Sequence, residues 1–96
     1  MREFTFGEGV LIGSVPPSRN LTVAQIARYM GVMPLPKSAD HRHDVTKHVV
    51  RTECRIERML RDLCSRGYVE HIPRAHGQHV ERWCVYSHAV RVMEVE

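Results

Sequence analysis

Residues 44–86 constrain the fold more than any other part of the chain. They read DVTKHVVRTECRIERMLRDLCSRG, then YVEHIPRAHGQHVERWCVY. Val45, Val49, Ile56, Met59, Leu60 and Leu63 recur at steps of three and four, with Thr52 filling a gap. At about 100° per residue these side chains share one stripe of an α-helix. Lys47, Arg51, Arg55, Arg58 and Arg61 fall on the other side. The spacing predicts one long helix over residues 45–66, with a core-facing stripe and a cationic rail. Asp44 is placed to N-cap it. Gly67 stands where a left-handed C′ residue is wanted, and Arg66 where a cation complements the helix dipole. Tyr68 is then positioned to pack back on Leu63.

Two β-capable runs follow, residues 68–72 and 79–87, joined by a polar segment that contains Gly77. This pattern predicts a hairpin over residues 68–87. Trp83 and Val85 share one face of the second run, Cys84 and Tyr86 the other.

Upstream the signals are shorter. In residues 1–20, Phe4, Phe6, Val10, Leu11, Ile12 and Val15 are mixed with Gly7, Gly9 and Gly13, without a helical period. Short strands or an extended arm are expected, with a turn at Glu8 and a stop at Pro16-Pro17. Residues 22–30 predict a helix. Thr22 and Gln25 match a capping box, Leu21 and Ile26 a hydrophobic staple, and Gly31 a stop. In the connector 33–43, Pro34 and Pro36 forbid a continuous helix, and Ser38 could cap a brief turn over residues 39–43. The tail, 88–96, carries Val90, Val92 and Val95 and reads as a further strand or a dimer contact. The expected core is Ile26, Met30, Val49, Ile56, Met59, Leu60, Leu63, Val69 and Val85.

A chain of 96 residues supports one small domain with one core, and 43% hydrophobic content favours a folded chain over a disordered one. No apolar run is long enough to span a membrane. Residues 1–15 carry Glu3 and Glu8 within a broken apolar region and do not match a signal peptide. The cysteines Cys54, Cys64 and Cys84 form no C-x-x-C pair, so reduced thiols and a cytoplasmic location are expected. A net charge of +3 permits an anionic partner without demanding one.

Catalytic and metal signatures are weak. There is no G-x-S-x-G, P-loop or H-E-x-x-H, and catalysis is not expected. His41, His43 and His48 could offer nitrogen ligands, but no spacing matches a structural zinc motif. Neither a metal nor another cofactor is expected. The seven histidines read as polar surface, with phosphate contact one role for them.

Leu60-x-x-Leu63-x-x-x-Gly67-Tyr68-Val69, a basic loop, and Arg82-Trp83-x-Val85-Tyr86 resemble the winged helix-turn-helix superfamily. Upstream, Gln25-Ile26-Ala27-x-x-x-Gly31-Val32 looks like the first helix and turn of a helix-turn-helix. The resemblance covers roughly residues 21–87. It implies a single α+β winged-helix domain: an N-terminal strand or arm over 1–20, a helical part over 22–66, a wing over 68–87 and a tail over 88–96. It also implies binding to duplex DNA, with the third helix in the major groove and the wing on the neighbouring backbone or minor groove. By position, the recognition helix is about 45–66. Its exposed N-terminal half offers Lys47, His48, Arg51, Thr52 and Arg55, and the wing tip offers Arg74, His76 and Gln78. Thr52 also falls on the core stripe.

The chain departs from that pattern in two ways. The connector after Gly31 is long and proline-containing, and the usual leading helix has no counterpart in the reading of residues 1–20. Either residues 22–30 form the second helix with an insertion after it, or they form the first and the second is a stub near 38–43.

The resemblance makes a sequence-specific DNA-binding protein, a small bacterial or bacteriophage transcription regulator, the leading expectation. A homodimer on palindromic half-sites would multiply the few base pairs one helix reads. The alternative is a protein-interaction module on the same fold, an adaptor or inhibitor of a host complex. Glu53, Glu57 and Asp62 beside the arginines also permit an ordinary solvated helix face, neutralised by pairs such as Glu57–Arg61 and Asp62–Arg66. Residues 45–52 contain no acid.

Overall fold

The computed structural model describes residues 3–32, 42–78 and 80–95, with only the backbone of 42–47. Their regular structure is a small α+β domain of four helices and one antiparallel hairpin: α1 Phe6–Ser14, α2 Val23–Met30, α3 Arg42–Ser65, β1 Val69–Ile72, β2 Arg82–Val85 and α4 Ser87–Val95. Among the described residues no helix is long and apolar enough to cross a membrane.

Helix α3 forms where the apolar stripe predicts it. Ile56, Leu60 and Leu63 are buried, Met59 packs partly against them, and Val49 is half-buried at the margin of the core. The helix begins at Arg42, so Asp44 lies inside it and is not its N-cap. Neither Arg42 nor His43 breaks a helix, and the nearest upstream proline is Pro36. Of the brief turn expected over 39–43, residues 42 and 43 belong to α3, and the rest, with Ser38, lies outside the described residues. The end is a Schellman turn as expected: Gly67 has φ +84°, the Tyr68 N–H donates to Leu63 O at 3.0 Å, and the Gly67 N–H to Cys64 O at 3.1 Å. Helix α2 carries both bonds of its capping box, Gln25 N to Thr22 Oγ1 at 3.2 Å and Thr22 N to Gln25 Oε1 at 2.9 Å. It ends on Gly31 at φ +73°.

The N-terminus departs from its strand or arm reading. Residues 6–14 form α1, opened by a second capping box in which the Glu8 N–H donates to Thr5 Oγ1 and the Thr5 N–H to Glu8 Oε1. Three glycines weaken such a helix by about 0.5–1 kcal/mol each, and tertiary packing overrides the deficit. A Cβ at Gly7 would lie 3.1 Å from Met59 Sδ of α3, so the small residue lets the two helices close. Leu11, Ile12 and Val15 are buried on the inner side.

The tail is also a helix and not a strand. Ala89 of α4 is fully buried, and Val90, Val92 and Met93 pack against the core. Alternating valines gave this segment a strand-like period, but Ala89, Val92 and Met93 follow the helical step. Helices α1 and α4 pack on each other. The apolar runs at the two ends therefore meet within one chain.

The hairpin pairs Val69 with Val85 and His71 with Trp83. The segment before α2 joins it by two bonds between Leu21 and Trp83, at 2.9 and 2.7 Å, and by the Ser18 N–H on Val85 O at 2.9 Å. One core results, to which α1, α2, α3, both strands and α4 all contribute. Cys54 is exposed, Cys64 half-buried and Cys84 buried. Burial, helped by the charge of Glu70, pushes the Cys84 thiol up and keeps it neutral.

Candidate nucleic-acid interface

Helix α3 carries its core on one side, so its remaining arc faces solvent. His48, Arg51, Arg55 and Arg58 are exposed there. Arg51 and Arg55 are one turn apart, about 6 Å along the axis. Lys47 belongs to the same helix, with its side chain outside the description. Thr52 is half-buried at the edge of the core stripe.

The arginines divide into two sets. Arg61 pairs with Glu57 at 2.6 Å, reaches Glu81 at 3.9 Å, and lies 5.8 Å from the centre of the Trp83 ring. Arg66 pairs with Glu8 at 2.5 Å and with Asp62 at 3.0 Å. Thus the expected Glu57–Arg61 and Asp62–Arg66 pairs form. Arg51, Arg55 and Arg58 have no ion pair among the described residues.

The acids of α3 explain part of this division. Glu53 and Glu57 line a cleft of about 270 Å³ with Thr22, Val23 and Ala24 at the start of α2. Their charges thus lie toward the positive end of that helix dipole. They sit on a flank of α3 and do not interleave with Arg51 and Arg55.

Arg74, His76 and Gln78 are exposed on the hairpin loop. The Gln78 N–H donates to Ala75 O at 3.0 Å, and Gly77 supplies the positive φ of +84° that this turn uses. The Gln78 side-chain oxygen accepts from the Ala75 N–H at 3.3 Å, so its amide NH₂ is the group it can offer a partner. At the base of the loop, Glu81 lies between Arg61 and His71. His71 Nε2 is 3.1 Å from Glu81 Oε2, within ion-pair distance but not aligned for a hydrogen bond. The His71 ring stacks on Trp83 at 4.3 Å.

These contacts tie the hairpin to α3, and sequence reasoning missed them. Arg61 was assigned to the cationic rail, yet it serves the hairpin. Its only local signal was Glu57 four residues earlier. A further open cleft, about 450 Å³, lies along the outer side of α2 and is lined by Arg19, Leu21, Gln25, Arg28 and Tyr29. Its cations also escaped the reading, because they come from a loop and a helix at unrelated spacing. Among the described residues no three His, Cys, Asp or Glu side chains converge to hold a metal ion.

No family model, curated protein or solved structure matches this chain.

Proposed function

We propose that this chain is a sequence-specific duplex-DNA-binding domain of the winged-helix type, acting in a small bacterial or bacteriophage transcription regulator. The observation that carries the reading is the division of the α3 arginines. Arg61 and Arg66 are engaged within the molecule, whereas Arg51, Arg55 and Arg58 point their charge outward with no acidic partner among the described residues. An unpaired guanidinium on an exposed helix can present its fork of donors to guanine O6 and N7 in the major groove, or to phosphate.

The order of elements supports the same reading. In this reading α1 would be the leading helix, α2 the second and α3 the third, with a long connector between the last two. The hairpin follows α3 and packs on it through the core that Leu60, Leu63, Val69, Trp83 and Val85 share, with the Arg61–Glu81 contact at its edge. Arg51 and Arg55 would read base edges, assisted by Lys47, His48 and Thr52. Arg74, His76 and Gln78 would hold the adjacent backbone or minor groove. Two copies on a palindrome would supply a longer site than one helix reads.

Selection of bound duplexes from a random pool, with a salt titration, tests the proposal. An enriched motif is expected, with affinity falling steeply as salt rises. Absence of enrichment at low salt would move the reading to a protein-interaction module.

A further inference from the structure

A second feature of α3 lies on the flank opposite Glu53 and Glu57. Phe6 and Val10 of α1, Met30 and Val32 at the end of α2, and Ile56 and Met59 of α3 line an open groove of about 600 Å³. Gly7 also lines it, and a Cβ there would lie 3.1 Å from Met59 Sδ. Phe6 is 85% exposed on the wall, an unusual position for an aromatic side chain on a small domain. Among the described residues the polar lining side chains are His48, Thr52 and Arg55, all from α3, and no carboxylate lines the groove. Arg55 has no ion pair among the described residues.

We infer that this groove binds a small amphipathic organic anion, of the alkyl or aryl carboxylate class. Ligand sites of this size are mostly apolar, with a few polar groups that fix orientation. Here the apolar wall takes the hydrocarbon part, and Arg55, about two turns along α3 from His48, takes the carboxylate. A neutral apolar ligand would gain nothing from the Arg55 charge, which is exposed to water. A cation would meet it unfavourably. The inference stands apart from the DNA reading. If both hold, ligand and DNA compete for Arg55.

The test is an amide chemical-shift titration of the full chain, without DNA, using octanoate and, in parallel, octan-1-ol as the neutral match. Octanoate should give saturable shifts confined to residues 6–10, 30–32 and 48–59. Arg55→Ala should weaken octanoate about tenfold, the loss of one charge-assisted contact, and leave octanol nearly unchanged. Phe6→Ser, at an exposed position, should weaken both. The amide spectrum reports whether each variant is folded. Scattered or absent shifts, or equal weakening of octanoate and octanol by Arg55→Ala, would overturn the inference. So would groove shifts that appear with protein concentration alone, which would assign the groove to a second copy. An acidic peptide that shifts the groove where octanoate does not would overturn it in favour of a protein partner.

Discussion

Arg66 Nη2 lies 2.5 Å from Glu8 Oε2, joining the end of α3 to the first turn of α1 across 58 positions of sequence. The guanidinium also donates to Glu3 O at 2.7 Å. The Glu8 side chain is 5% exposed, whereas that of Arg66 is 28% exposed. The sequence suggested that Arg66 complements the helix dipole. In the fold its guanidinium also reaches the N-terminal helix and pins it to the end of α3.

Removing one partner of a buried ion pair strands the other. Arg66→Ala strands the buried Glu8 carboxylate and should therefore cost about 3 kcal/mol of unfolding free energy, and Glu8→Ala somewhat less because the Arg66 it leaves behind is partly wet and keeps Asp62. The double variant should cost less than the sum. Urea unfolding of all four proteins measures this. Additive losses would mean that the two side chains act independently.

The same pair predicts a pH dependence. Burial raises the Glu8 pKa, but the Thr5 N–H and the Arg66 guanidinium outweigh it and hold the carboxyl below its ordinary value of 4.5. A depressed carboxyl pKa contributes stability that is fully present above the unfolded value and is lost as pH falls through the folded one. The stability difference between the parent and Glu8→Gln should thus be constant above about pH 5 and shrink below 4.5. Urea midpoints at a series of pH values would show it, and a difference that widened in acid would reverse the sign of the argument.

What could be read from sequence follows the range of the signals. Helix α3, its Schellman end at Gly67 and the capping box of α2 are local patterns, and each was legible. Helix α1 has the same kind of capping box, Thr5-x-x-Glu8, and Glu8, Leu11, Ile12 and Val15 keep a helical step. Three glycines within nine residues hid it, because the partners of Gly7 and Gly13, Met59 and Met93, are distant in sequence. The Leu21–Trp83 bridge, the Glu8–Arg66 pair and the Arg61–Glu81 fastening join remote segments and left no local trace. The exposed cations of α3 were legible from periodicity. The apolar groove beside them was not, because it depends on α1.

The glycines give opposite predictions at two positions. Gly67 has φ +84° with nothing within 4 Å of an added Cβ, so the penalty of Gly67→Ala is conformational alone, about 1–2 kcal/mol. Gly9 lies inside α1 with equally open space and no positive φ. Gly9→Ala should stabilise the protein by about 0.5–1 kcal/mol through helix propensity. Thermal melts of the two variants should move in opposite directions. A parallel shift would remove either the left-handed cap or the α1 helix from the account.

The proposed DNA contacts divide between α3 and the hairpin loop. Arg51 and Arg55 sit one turn apart on an exposed arc, so they can follow a groove together. Arg74 stands on a separate loop of the hairpin, exposed to solvent. Base contacts carry sequence information, whereas phosphate contacts mostly do not. Arg51→Ala or Arg55→Ala should cost roughly 1–3 kcal/mol on a selected duplex and relax preference at one base position. Arg74→Ala should weaken binding similarly across sequences and reduce the salt slope by about one. A minor-groove role for Arg74 would instead appear as a preference for narrow A·T tracts. Arg61→Ala is the informative companion. It leaves the free arginines in place but loosens the hairpin, so it should lower affinity while base preference at the α3 positions persists. Binding of all four variants should be compared at matched salt, with folding verified by circular dichroism. Parent-like binding by Arg51→Ala, Arg55→Ala and Arg74→Ala together would remove this surface as the DNA-reading face.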